Sequence, residues 1–114
     1  MAKDLFLKII NRELPADIVY ETAELLGFRD INPQAPVHII VIPKEHIATT
    51  NELTAAHEKI VGKLLLAATE IARLEGIAET GYRLVMNCNK HGGQTVFHIH
   101  MHLLGGRQMH WPPG

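Results

Sequence analysis

Apolar and polar positions along the chain change register several times, and each change marks an element. Leu5, Phe6, Ile9 and Ile10 fall at i, i+1, i+4 and i+5, one face of a short helix that Pro15 ends. Ile18–Glu21 and Leu25–Arg29 are short β-compatible runs that read as a hairpin. Residues 37–42 (VHIIVI) are rich in β-branched side chains and stand between Pro36 and Pro43, the pattern of a buried strand. Residues 55–75 run without proline behind Thr54, a good N-cap, and Gly76 stops them. Ile60, Leu64, Ala67, Ile71 and Leu74 line one stripe of this long helix. Residues 82–87 read as a strand and residues 89–93 as a turn, with Gly92 and Gly93 supplying positive φ. Residues 95–104 alternate as the last strand, which Gly105 and Gly106 end. Strands before and after one long helix, with short links between them, predict an α+β fold. Its antiparallel sheet has about five strands, with the long helix packed on one face.

A length of 114 residues fits a single domain, with residues 105–114 as a C-terminal tail carrying the only Trp, Trp111. Such a tail is expected to pack on something, a second subunit included. At 46% hydrophobic and 20% charged the composition is that of a globular chain, not a disordered or collagen-like one. A net charge of −1 argues against a nucleic-acid binder, whose phosphate contacts need a basic surface. Residues 37–42 and 60–72, the most apolar runs, fall short of the ~20 residues of a membrane span. Lys8 interrupts the apolar start, which is too short and polar for a secretory signal. Cys88 is alone and cannot form an internal disulfide. A cytoplasmic chain without membrane contact is the expectation.

The net charge hides an asymmetry. Residues 1–79 carry all 12 acids against eight Lys and Arg, whereas residues 80–114 carry Arg83, Lys90 and Arg107 and no acid. Four of the eight histidines fall between residues 91 and 102. Three of them, His98, His100 and His102, alternate with Ile99, Met101 and Leu103. On a strand, residues two apart share a face at about 6.5–7 Å. Three imidazoles then point one way, while the apolar partners, Phe97 among them, point into the core. A plain solvent face mixes Lys, Glu, Thr and Ser, so strict alternation of titratable rings marks a site.

Two chemistries suit three same-face imidazoles. Three His and a water form an open zinc site. No acid follows Glu79 to orient a ligand from nearby in sequence, although a distant one such as Asp30 can approach in the fold. Alternatively, a neutral imidazole attacks phosphorus and splits one hard displacement into two easier ones. An acid-free segment with a Gly-Gly turn and Thr95 suits a bound phosphate, because free backbone N–H groups hold its oxygens.

The pattern His98-Ile99-His100-Met101-His102-Leu103-Leu104 resembles the motif of the histidine triad family. Gly92-Gly93-Gln94-Thr95 before it and Gly105-Gly106-Arg107-Gln108-Met109-His110-Trp111-Pro112-Pro113-Gly114 after it are similar to the histidine triad nucleotide-binding (Hint) branch. So are residues 28–36 (FRDINPQAP) and 42–47 (IPKEHI), and the likeness runs from Leu5 onward. The resemblance implies a homodimeric purine nucleoside phosphoramidase that cleaves P–N bonds of AMP and GMP conjugates without a metal or other cofactor. It implies His100 as the nucleophile, His98 and His46 in the network behind it, and His102 at the phosphate and in protonation of the leaving amine. Asn87, Gly93, Gln94 and Thr95 would hold phosphate oxygens. Asp30 would accept from the ribose, and Phe6, Ile9, Phe28 and Ile31 would wall the base, with Trp111 counted among the substrate contacts. Thr95 stands where the family often has Ser, which keeps the hydroxyl and adds a methyl. The third histidine, His102, favours the hydrolase branches over the transferase branch.

Taken without the resemblance, several of these residues have ordinary roles. Asp30 with Asn32-Pro33 makes a turn, Gly92-Gly93 a hairpin turn, and His46 a surface histidine. Phe6, Ile9, Phe28 and Ile31 are core by default. His38 reads as a satisfied core or interface histidine, His57 as solvated and Cys88 as a small buried residue. A nucleotide-binding regulatory protein with incidental hydrolysis would need the same pocket and remains the alternative from another class.

Overall fold

The computed structural model describes residues 5–114; residues 1–4, which the single-domain expectation includes, lie outside the described residues. Five strands form one antiparallel sheet in the order β1-β2-β3-β5-β4. They are β1 (Ile18–Glu21), β2 (Leu25–Arg29), β3 (Val37–Pro43), β4 (Tyr82–Val85) and β5 (Met101–Gly105). Between β3 and β4 runs the long helix, α2 (Glu58–Leu74), and α1 (Leu5–Ile10) precedes the sheet. The expected α+β layout is therefore the observed one.

The two faces of the sheet are covered unequally. On one face Leu25, Ile39, Val41 and Leu103 pack against Leu64, Ala67 and Ile71 of α2. On the other, Leu26, Phe28, Ile40 and Ile42 pack against Phe6 and Ile9 of α1. Being covered on both sides is why β3 is apolar at consecutive positions instead of alternating. With only six residues, α1 covers part of its face and leaves the remainder to the site.

Several sequence expectations need correction. The long helix begins with a 3-10 turn, Ala55–His57, and its α-helical part starts at Glu58. His57 is not a free solvated side chain, because its Nδ1 accepts from the Thr54 amide in a capping box. Leu74, at the last turn of α2, is 70% exposed and leaves the core stripe. The turn at residues 89–93 is a short helix, α3 (Asn89–Gly92), and only Gly93 of the glycine pair has positive φ. Phe97 is 37% exposed and lies outside the core.

The largest difference is at the last strand, which starts at Met101 and not at residue 95. Val41 pairs with Met101, so the next rung would fall on Pro43. Proline has no N–H to donate, and the Pro43 carbonyl is taken by the ring of His98. The ladder ends there. His98 and His100 consequently sit outside the ladder on a segment anchored by Ile99 N–H to the Ile47 carbonyl at 2.7 Å.

Candidate active site

A cavity of about 390 Å³ opens on the face that α1 covers only in part. Phe6, Ile9, Phe28 and Ile31 line it with apolar surface, and Asp30, Thr95, His100 and His102 bring polar groups to it. Phe6 does two things. Its ring stands edge-on to His100 at 5.0 Å and also to Phe28 at 5.5 Å. Ile31 sits at the rim, 99% exposed. Thr95 is exposed, and neither its amide nor its hydroxyl is engaged by a hydrogen bond among the described residues.

Main-chain carbonyls decide which nitrogen of each ring carries a proton. A carbonyl can only accept, so a ring nitrogen bonded to one must be an N–H. His100 donates from Nδ1 to the His98 carbonyl at 2.8 Å. In a neutral ring this leaves Nε2 with its lone pair. His98 donates from Nε2 to the Pro43 carbonyl at 2.7 Å. His46 donates from Nε2 to the Phe97 carbonyl at 2.9 Å, with its ring 5.2 Å from that of His98. His98 is fully buried, and its Nδ1 has no partner among the described residues.

The rings are held neutral. Burial, opposed only in part by the His98 carbonyl and Asp30, keeps His100 below the ordinary imidazole range. Burial does the same to His98, with its neighbours His46 and His100 adding to the effect. His102 is pushed down to about 4, by burial first and then by the adjacent His100 and His38. At neutral pH the cluster presents lone pairs and N–H donors to the cavity, not positive charge.

Other predicted contacts are not assembled in this way. Gln94 is buried, with Oε1 accepting from the Asn89 amide and Nε2 donating to the carbonyls of Ala48 and Val96. Its side chain shapes the loop and is not free for a ligand. The Gly93 amide donates to the Lys90 carbonyl at 3.1 Å and is likewise occupied. Asn87 lies beneath the turn, against Gly92, and does not line the cavity. Trp111 is 82% exposed and is not brought to the cavity within this chain.

His38 is the residue that sequence reasoning missed. It is buried, 6% exposed, and its Nε2 lies 2.9 Å from Nδ1 of His102 and 3.4 Å from Oδ2 of Asp30. Asp30 makes the expected turn as well, with Oδ1 accepting from the Asn32 amide. The missing signal was register. β3 pairs Ile40 with His102 and His38 with Leu104, which makes His38 the diagonal neighbour of His102 on the same face.

Among the described residues, the one group of three potential metal ligands is Asp30, His38 and His102, with ligand atoms within 4.8 Å of one another. Among the described residues the three alternating histidines do not converge on one point, which speaks against the alternative of a three-histidine metal site. The Asp30 group does not suit a metal either. To bind through Nε2, a neutral His38 would need its proton on Nδ1, where the Gln34 amide already donates at 3.0 Å. The donor chemistry of the cluster therefore disagrees with a zinc ligand set.

A family model described as HIT domain matches residues 11–109. The chain is 57% identical over 105 residues to the purine nucleoside phosphoramidase of Escherichia coli K12, covering 92% of this chain and 88% of that protein. It is 53% identical to a 14 kDa zinc-binding protein of Zea mays, over 96% of this chain and 87% of the relative. Among solved structures, a HIT family hydrolase from Legionella pneumophila Philadelphia 1 superposes with a TM-score of 0.95 at 54% identity. That alignment covers 96% of this chain and 98% of the other.

Proposed function

The chain belongs to the histidine triad (HIT) family, whose domain model spans residues 11–109, and from that premise we propose that it hydrolyses purine nucleoside 5′-phosphoramidates as a member of the histidine triad nucleotide-binding branch. The observation that carries the proposal is the free lone pair on Nε2 of a neutral, fixed His100 at the wall of a largely apolar cavity. The identity to the Escherichia coli phosphoramidase supports the same reaction.

In the proposed sequence, Nε2 of His100 bonds to phosphorus as the P–N bond to the amine breaks, and the departing nitrogen takes a proton from solvent, which the second step gives back. Water then bonds to phosphorus and the His–phosphorus bond breaks, returning the lone pair to Nε2 and releasing the nucleoside monophosphate and a proton. Neutral His102 contacts a phosphoryl oxygen, Thr95 offers its amide and hydroxyl, Asp30 accepts from the ribose, and Phe6, Ile9, Phe28 and Ile31 wall the purine. His98 and His46 hold the network behind the nucleophile. No metal takes part. Purified protein is expected to release AMP from adenosine 5′-phosphoramidate at an unchanged rate in excess EDTA, measured by chromatography. Tight AMP binding by calorimetry with no turnover of any phosphoramidate would instead favour a regulatory nucleotide binder.

The proposed working form is a homodimer of single HIT domains in the cytoplasm, acting on AMP or GMP conjugates. A second copy would cover the exposed tail, where Trp111 is 82% exposed, and the outer side of α2, where Leu66 and Leu74 are 69% and 70% exposed. Sedimentation equilibrium at micromolar concentration is expected to give twice the 12.7 kDa chain mass. A 12.7 kDa species alone would remove the dimer.

A further inference from the structure

With the phosphoramidase reading as its ground, we propose that His38 is a positioning residue that keeps the proton of His102 on Nε2, so that His102 presents a donor to a phosphoryl oxygen. The chain of reasons starts at a backbone amide. Gln34 N–H can only donate, and it donates to Nδ1 of His38 at 3.0 Å. Nδ1 of His38 is thus a lone pair, and a neutral ring must carry its proton on Nε2. That nitrogen lies 2.9 Å from Nδ1 of His102, which therefore accepts. Neutral His102 is left with its proton on Nε2.

The alternative arrangement, with His102 donating to His38, requires a second lone pair on His38 or loss of the Gln34 bond. Burial of both rings keeps them in the neutral forms that this relay needs. Asp30 Oδ2, at 3.4 Å from the His38 Nε2, is a looser second acceptor for the same proton and steadies it on that nitrogen. Gln34 is itself held, because Arg107 Nε donates to its carbonyl at 3.1 Å. A loop amide, a strand histidine and a neighbouring strand thereby set the tautomer of a ring in the cavity.

Long-range proton–nitrogen NMR on ¹⁵N-histidine-labelled protein reads the tautomers directly, without any assay of activity. Both His38 and His102 are expected to carry their proton on Nε2 between pH 7 and 8. A glutamine at position 38 can offer an amide N–H near the same place, whereas leucine offers none. His38→Gln should keep the His102 tautomer and stay within about threefold of the parent kcat. His38→Leu should mix the two tautomers and lower kcat about tenfold with KM little changed, the size of one buried hydrogen bond. A parent His102 protonated on Nδ1 would overturn the proposal. So would equal losses in both variants with KM moving as far as kcat, which would make His38 a packing residue. If the parent protein cleaved no phosphoramidate, the functional reading would fail while the tautomer result still stood or fell by itself.

Discussion

His100→Ala is expected to lower kcat/KM for adenosine 5′-phosphoramidate by about 10⁴-fold or more, while the protein stays folded. In the proposed mechanism His100 is the nucleophile, and a nucleophile is not one contributor among several. Without Nε2 there is no atom to bond to phosphorus, and the two-step path closes. The remaining contacts, from His102, Thr95 and the apolar wall, still bind the substrate, so KM should move far less than kcat. His102→Ala should be milder, in the range of about 10²-fold typical for loss of one polar partner in the transition state. The ring of His100 faces a cavity and not the packed core behind β3. Circular dichroism and the thermal midpoint are therefore expected to stay near those of the parent. Free imidazole added to the variant should restore part of the rate, because it can occupy the vacated space. Activity of His100→Ala within tenfold of the parent would remove the covalent mechanism.

The second large effect concerns acid. His38, His98, His100 and His102 all bind protons more weakly in the folded chain than in the unfolded one, with burial the leading cause each time. A depressed pKa contributes stability that is complete above the unfolded value of 6.5 and is lost as pH falls through the folded value. For His102 the folded value is about 4, so the window runs from 6.5 down to about 4. His102 alone contributes roughly 2 kcal/mol across it, allowing for the partial exposure of the ring. The other three rings add in the same direction. Carboxylates do not mimic the effect in its upper part. Glu21, held low by Lys44 and then Arg12, loses its contribution only as pH falls below its ordinary value of 4.5.

Urea midpoints are accordingly expected to fall steadily between pH 6.5 and 4.5, and His102→Gln should flatten that slope. A midpoint unchanged over this range would mean that the rings are not held neutral. Activity follows the same sign: burial keeps His100 neutral below its ordinary value of 6.5, which shifts the acid limb of the rate profile downward.

Much of this was legible in the chain. Pro36 and Pro43 bracket β3 on both ends, and Thr54 with Gly76 frames the long helix, because those residues act locally. The alternation of His98, His100 and His102 was visible for the same reason. What was hidden depends on pairing. Pro43 ends the last strand early only because the β3–β5 register brings it opposite Ile99. His38 belongs with His102 only through that same register. Gln94 is as polar as any phosphate contact, and only the positions of Ala48, Asn89 and Val96 show that its amide is already satisfied. Trp111 is 82% exposed and does not line the cavity within this chain, a placement that no single sequence position encodes.

The carbonyls of Pro43, Phe97 and His98 are common to every amino acid that could occupy those positions. The protonation pattern around the reacting nitrogen is therefore written in the main chain, beyond the reach of most point mutations. The side chains of the apolar wall make none of these hydrogen bonds. On the proposed reading, base preference and leaving-group tolerance can drift through Ile9, Phe28 or Ile31, which line the cavity, while the hydrogen bonds that fix His100 stay in place. A scaffold wired in this way separates what is recognised from what is done to it, and one reaction can be redirected to new conjugates without being reinvented.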